Sequence, residues 1–227
     1  MNQESKSYSI VADLASFLVI NKAANVDFHS SGNQAGIVAQ VSQDRGGEPL
    51  FPVHRLDKMT SGLLILAKSS EVAAQFGELF ATRQIEKYYL AVSDKKPKKK
   101  QGLIKGDMKK GRNGSYLLLK SNDNPAVTQF FSYSIAPGVR GYLLKPHTGK
   151  THQLRVAMKS IGSPILGDDR YYPNNQQSIG MLHAWQLTFK LAGEFYHFTA
   201  EPDWEIDGMS NWLKDMASIK QWNWPKL

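Results

Sequence analysis

Apolar residues along the chain fall into short runs that predict strands more often than helices. Residues 17–21, 63–67, 88–92, 116–119, 127–134, 142–145, 181–189 and 195–200 are brief and rich in β-branched or aromatic side chains, the mark of strands. The run 63–67 is unbroken Leu-Leu-Ile-Leu-Ala, which predicts a strand covered on both faces. Three segments repeat at helical spacing instead. Val72, Phe76, Leu79 and Phe80 mark a helix from Ser69 or Ser70 to about Arg83, with a serine as its cap and Glu71 in its first turn. Leu154, Ala157, Met158 and Ile161 mark another over 151–161, stopped by Gly162, and a third fits 210–216. Runs of strands with helices inserted argue for an α+β fold on a mixed, largely antiparallel sheet. There is no internal repeat and no shift of composition to mark a boundary. The expectation is one domain over 1–227.

Charge changes this picture in one place. The chain has 227 residues, is 41% hydrophobic and carries a formal +8. Lys95, Lys96, Lys98, Lys99, Lys100, Lys105, Lys109, Lys110 and Arg112 stand with a single acid, Asp107. That segment alone holds an excess equal to the chain's total. With four interspersed glycines it reads as an exposed loop or flexible hairpin at about 94–114. Such a strip suits an anionic partner such as nucleic acid, with an idle solvated loop as the plain alternative. There are no cysteines, which excludes disulfides, thiol catalysis and Cys-ligated zinc. The start of the chain, residues 1–9, is polar, and apolar runs are too short to cross a membrane. A cytoplasmic monomer is the expectation.

Candidate chemistry centres on His54-Arg55-Leu56-Asp57-Lys58-Met59-Thr60-Ser61-Gly62-Leu63. Asp57 is flanked by basic groups, which favour its ionised form. That suits a nucleophile better than a proton donor. A turn former or helix cap is the ordinary use of such an aspartate. Arg55 shares a face with Asp57 in extended chain, so it can hold the carboxylate or reach a phosphate. His54 fits a general base, an RNA-backbone ligand or an ordinary turn histidine.

The same run resembles the signature of the RluA-type pseudouridine synthases, in the compact form without an N-terminal S4 domain. These enzymes isomerise uridine in RNA to its carbon-linked form. The resemblance continues in order along residues 10–200. Phe17-Leu18-Val19-Ile20-Asn21-Lys22 looks like the family's N-terminal strand, with Ala23 where proline is usual. Ile85-Glu86-Lys87-Tyr88-Tyr89-Leu90-Ala91 looks like its Lys-x-Tyr strand. Pro146-His147-Thr148-Gly149-Lys150-Thr151-His152-Gln153-Leu154-Arg155-Val156 is similar to a third motif, with Lys150 where arginine is usual and Ala157 where histidine is common. Ile161-Gly162-Ser163-Pro164-Ile165-Leu166-Gly167-Asp168 and Leu182-His183-Ala184 also fit.

The resemblance implies a mixed, largely antiparallel sheet with flanking helices and a central active-site cleft, and it implies Asp57 as the catalytic residue. It implies that Arg55 fills the space vacated by a flipped uridine, Tyr89 stacks on the base, Arg155 pairs with Asp57, and Leu182 packs beneath the base. Each of these has a plainer alternative: an Arg55–Asp57 pair, a core tyrosine, a solvated arginine, a core leucine. Tyr88 alternates to the opposite face from Tyr89. Lys150 and the lysines at 95, 96, 98, 99 and 100 are candidates for RNA backbone. No metal, nucleotide or redox cofactor is implied; the partner is ribosomal or transfer RNA.

Rival readings fare worse. Gly149-Lys150-Thr151 ends like a phosphate-binding loop, but that loop needs glycine where Leu144 stands. A zinc base deaminase needs cysteines. Asp168-Asp169 reads as a turn rather than as a pair of glycosidase acids. A catalytically silent RNA-binding protein fits the basic strip, but it gives no reason for Asp57, Tyr89 and Arg155 to occur in three separate motifs.

Overall fold

The computed structural model describes residues 6–30, 35–216 and 222–227. Residues 1–5 of the polar start lie outside the described residues. In chain order the elements are β1 (Tyr8–Asp13), β2 (Phe17–Lys22), α1 (Ile37–Asp44), β3 (Phe51–Pro52), β4 (Ser61–Ala67), α2 (Ser70–Ala81), β5 (Glu86–Ser93), β6 (Gln101–Gly106), β7 (Met108–Lys110), β8 (Tyr116–Leu118), β9 (Ala126–Ala136), β10 (Val139–Pro146), α3 (Gln153–Ser160), β11 (Leu182–Leu191), β12 (Glu194–Thr199) and α4 (Met209–Asp215). Two compact units share them. The first takes Met1–Lys87 and His183–Pro202, the second Tyr88–Leu182 and Asp203–Leu227. Each unit is therefore assembled from two separated stretches of chain.

In the first unit β4 is the central strand. β2 runs antiparallel along one side of it, from Phe17 opposite Ala67 to Lys22 opposite Gly62. The other side is shared. β3 pairs with Leu66 and Ala67, while β11 runs parallel beside Ser61 and Gly62. All seven residues of β4 are buried, which is why its sequence shows no polar alternation. Phe17, Phe76 and Phe189 meet with ring centroids 5.3–5.8 Å apart and form the aromatic centre of this core. α2 is capped by Ser69, whose hydroxyl accepts the Val72 amide at 3.3 Å. Of the four residues in its expected stripe, Phe76 alone is fully buried.

In the second unit β5, β10, β9 and β6 pair antiparallel in that order. The basic segment is less loop-like than its composition suggests. Gln101–Gly106 forms β6 along β9, with Ile104 and Gly106 buried and Lys105 exposed between them. Two glycines and the charges on either side hide that alternation in the sequence. Beyond β6, β7 and β8 pair antiparallel, Met108 opposite Leu118. α3 ends in a Schellman motif: the Gly162 amide donates to the Lys159 carbonyl and Ser163 to Met158. Gly162 has φ +78°, so glycine suits the position. Of the tail tryptophans, Trp204 and Trp212 are buried, and Trp222 and Trp224 stand edge-on to Phe131 at 5.0 and 4.9 Å.

Candidate active site

Asp57 lies in the loop between β3 and β4 of the first unit, and the loop's own sequence explains its presentation. Leu56 and Met59 are buried, anchoring the chain on both sides of Asp57. The Thr60 amide donates to the Asp57 carbonyl at 3.0 Å and closes the turn. Asp57 is left half-buried, with Arg55 and Lys58 exposed. Lys58 turns outward to Asp27, 2.7 Å from its carboxylate. Arg55 makes no hydrogen bond or ion pair among the described residues, so the simple Arg55–Asp57 pair is not formed.

The Thr-Ser-Gly that follows has a geometric cause. Gly62 has φ +108°, and a Cβ there would lie 2.3 Å from the Ala184 carbonyl oxygen. Glycine is what lets β11 come alongside β4. One residue earlier, Ser61 Oγ lies 2.8 Å from His183 Nδ1, and His183 Nε2 donates to the Ala200 carbonyl at 2.8 Å. The carbonyl accepts from Nε2–H, which leaves Nδ1 to accept from the serine hydroxyl.

His54, a candidate for the RNA backbone, has another duty. Its Nε2 accepts the Ile65 amide at 3.0 Å, and its ring packs 5.1 Å from Phe80. Burial, with a smaller push from Lys87, lowers its pKa to about 3. A neutral imidazole that spends its lone pair on the backbone offers no charge to a phosphate. Of the three uses the sequence left open for His54, these contacts are nearest to the ordinary turn histidine.

Lys22, for which the sequence suggested no role, stands behind the Asp57 loop. It is fully buried at the end of β2. Its Nζ donates to the carbonyls of Ala23 at 2.8 Å, Val26 at 3.0 Å and Lys58 at 3.3 Å. Burial lowers its pKa to about 8, against the charges of Asp27 and Asp57, which raise it.

The other candidates belong to the second unit. Tyr89 lies half-buried on β5 opposite Leu144 of β10. Tyr88 takes the other face as the strand period requires. It is buried, with its hydroxyl 3.1 Å from Lys145 Nζ and its ring 5.7 Å from Trp224. Leu182 is buried at the start of β11. Arg155 is buried in α3, not solvated, because that helix is covered from Gln153 to Met158. Its Nε and Nη2 each donate to Asp168 at 2.8 Å, a bidentate fork. Asp168 also accepts the Arg170 and Tyr171 amides. The Asp168-Asp169 turn is thus structural, and the clamp on Arg155 went unseen in the sequence.

Lys95, Lys96, Lys98, Lys99 and Lys100 are all exposed, and Lys150 is half-buried. Asp107, the acid among them, is committed to the Asp123 and Asn124 amides. Its carboxyl is held below the usual range, chiefly by the Ser121 hydroxyl, with Lys150 adding to the effect. Among the described residues no group of three His, Asp or Glu is placed to hold a metal ion, and no helix is long and apolar enough to cross a membrane.

Comparison with known proteins adds the following. Residues 16–160 match the RNA pseudouridylate synthase family. An "uncharacterized RNA pseudouridine synthase" of Haemophilus influenzae is 49% identical over 194 residues, covering 85% of this chain and 87% of that one. The tRNA pseudouridine synthase C of Pasteurella multocida is 31% identical over 205 residues, covering 80% and 82%. Among solved structures, human RNA pseudouridylate synthase domain containing 1 shares the fold with a TM-score of 0.77, at 23% identity, covering 96% of this chain and 98% of that one.

Proposed function

The chain belongs to the RNA pseudouridylate synthase family, enzymes that convert uridine in RNA to pseudouridine, and from this premise we propose a role for each site residue. Asp57 is the catalytic carboxylate. It opens the glycosidic bond by attacking the nucleoside or by assisting departure of uracil, and both routes use its ionised form. The base then turns and rejoins through C5, which releases the C5 hydrogen. Arg55, exposed and without a partner among the described residues, takes the place of the extruded nucleotide and contacts the backbone. Extrusion costs a few kcal/mol, least in a loop, so the target is a uridine in an unpaired region. Tyr89 stacks on the uracil, Leu182 packs against it, and Arg155 orients the carboxylate.

The observation that carries the reading is the Asp57 loop. Two buried side chains anchor it, a buried cation stands behind it, and its one carboxylate is held half-open to solvent. The roles of Tyr89, Arg155 and Leu182 rest on the motif match. The substrate is a structured ribosomal or transfer RNA, bound in part by the exposed lysines at 95–100 and by Lys150. The enzyme acts in the cytoplasm as a monomer, with the whole chain serving as one catalytic domain. Release of tritium from RNA labelled at uridine C5 tests the reading. The wild type releases it and Asp57→Asn does not, while RNA affinity is preserved. Full release by the variant would remove Asp57 from the mechanism.

A further inference from the structure

We propose that His54 and His183 are positioning residues for Asp57: two imidazoles pin the two ends of its loop to the sheet, one through the Ile65 amide and one through the Ser61 hydroxyl. This rests on Asp57 being the catalytic group.

Strand pairing creates the need for the first pin. On one side β4 is paired with β2 along its whole length. On the other, β11 lies beside Ser61 and Gly62, and β3 beside Leu66 and Ala67. Neither of those two strands pairs with residues 63–65. Ile65 is fully buried, and a buried amide needs an acceptor. His54 Nε2 accepts it at 3.0 Å. A side chain thus does at Ile65 what a neighbouring strand does at either end of β4. The bond joins positions 11 apart and closes the loop across its base, with Asp57 inside. Phe80 packs on the ring at 5.1 Å and keeps it in place.

The second pin sits where the loop becomes strand. Ser61 and His183 are partners in the backbone register, and their side chains meet at 2.8 Å. His183 is itself tethered through Nε2 to the Ala200 carbonyl at 2.8 Å. Both residues are buried. Between the pins, Leu56 and Met59 face the core and the Thr60 amide donates to the Asp57 carbonyl at 3.0 Å. Asp57 therefore stands three residues from one pinned position and four from the other. Each pin needs its proton on a particular nitrogen. His54 accepts at Nε2, so its proton is on Nδ1. His183 donates from Nε2, so Nδ1 is its acceptor. The two rings are opposite tautomers. Burial, with a smaller push from Lys87, keeps the accepting nitrogen of His54 unprotonated. Releasing either pin shifts the carboxylate, and a shift of about 1 Å can cost about a hundredfold in rate.

The test has two arms. In the first, the imidazole tautomers of the wild type are read from 15N–1H correlation spectra. His54 is expected as the Nδ1–H form and His183 as the Nε2–H form. The same tautomer at both, or exchange between tautomers at either, would overturn the proposal. In the second, kcat and KM are measured by tritium release. His54→Leu keeps bulk against Phe80 without an acceptor, and Ser61→Ala removes the donor to His183. Both are expected to lose about tenfold or more in kcat with KM within about twofold. His54→Gln, whose amide oxygen reaches about as far as Nε2, is expected to recover kcat to within about threefold of the wild type. Wild-type kcat in folded His54→Leu or Ser61→Ala, a loss confined to KM, or His54→Gln as slow as His54→Leu would each overturn the proposal. Should the variants not fold, the tautomers decide it. A wild type with no tritium release from any RNA would instead overturn the reading of Asp57 on which the positioning role depends, whatever the spectra show.

Discussion

Two buried cations in this molecule are treated in opposite ways. Arg155 is locked into a carboxylate by two 2.8 Å hydrogen bonds, and that carboxylate is itself filled by two backbone amides. Lys22 meets only neutral carbonyls at hydrogen-bond distance, with burial lowering its pKa to about 8 and the charges of Asp27 and Asp57 opposing that shift. Charge cancelled in place builds a scaffold. The contrast separates a buried cation held by an adjacent carboxylate from one held by neutral carbonyls.

The largest effect that tests this contrast is catalytic. Asp57→Asn should lower isomerisation by more than about a thousandfold while moving the unfolding midpoint little, as followed by tritium release and urea titration. Asp168→Ala should do the reverse in kind. Leaving Arg155 buried without its partner costs about 3–5 kcal/mol of stability, read from denaturant unfolding. An Asp168→Ala protein as stable as the wild type would erase the distinction.

A smaller effect concerns acid. His54 stays neutral in the folded protein down to about pH 3, whereas an unfolded chain protonates it near 6.5. Between those values the unfolded state binds the extra proton, so stability is full above 6.5 and declines as pH falls, by up to about 1.4 kcal/mol per pH unit. Thermal melts from pH 7 to 4 should show this slope, and His54→Gln should flatten it. Loss without flattening would assign the decline to other groups.

The smallest effect belongs to the exposed strip. Replacing Lys95, Lys96, Lys98, Lys99 and Lys100 with glutamine should weaken RNA binding and reduce its salt dependence by about one in log–log slope for each lysine that meets a phosphate. Stability should hardly change, since all five are exposed. An unchanged slope would make the strip a bystander.

Much of this was legible in the sequence, for physical reasons that differ by element. β4 announced itself because a strand covered on both faces needs an unbroken apolar run. α2 showed its capping serine and its Phe76. α3 showed its Gly162 stop, since a left-handed residue at a helix end favours glycine. The structure departs from the pattern where burial does not follow period. Arg155 lies off the apolar stripe of α3, yet α3 is covered all round and the arginine is buried with it. β6 was hidden by glycines and lysines. α1, eight residues long with only Ile37 and Val41 buried, left too thin a stripe to find. Lys22 closes the segment that resembles the family's N-terminal strand, but its burial was not legible, because a lysine at a strand end is ordinarily solvated. Asp168 had a structural role assigned, but its arginine is 13 positions away in sequence, and local spacing cannot reveal such a pair.

The union of Ser61 with His183 spans 122 positions of chain, and it has a consequence during synthesis. Domains emerge from the ribosome amino end first, yet the parallel neighbour that fits against Gly62 arrives only with β11. The nascent first unit must wait for its missing strand while the whole of residues 88–182 is made. The chain is thus made without its finished Thr60-Ser61-Gly62 turn and acquires that turn only once β11 has been synthesised.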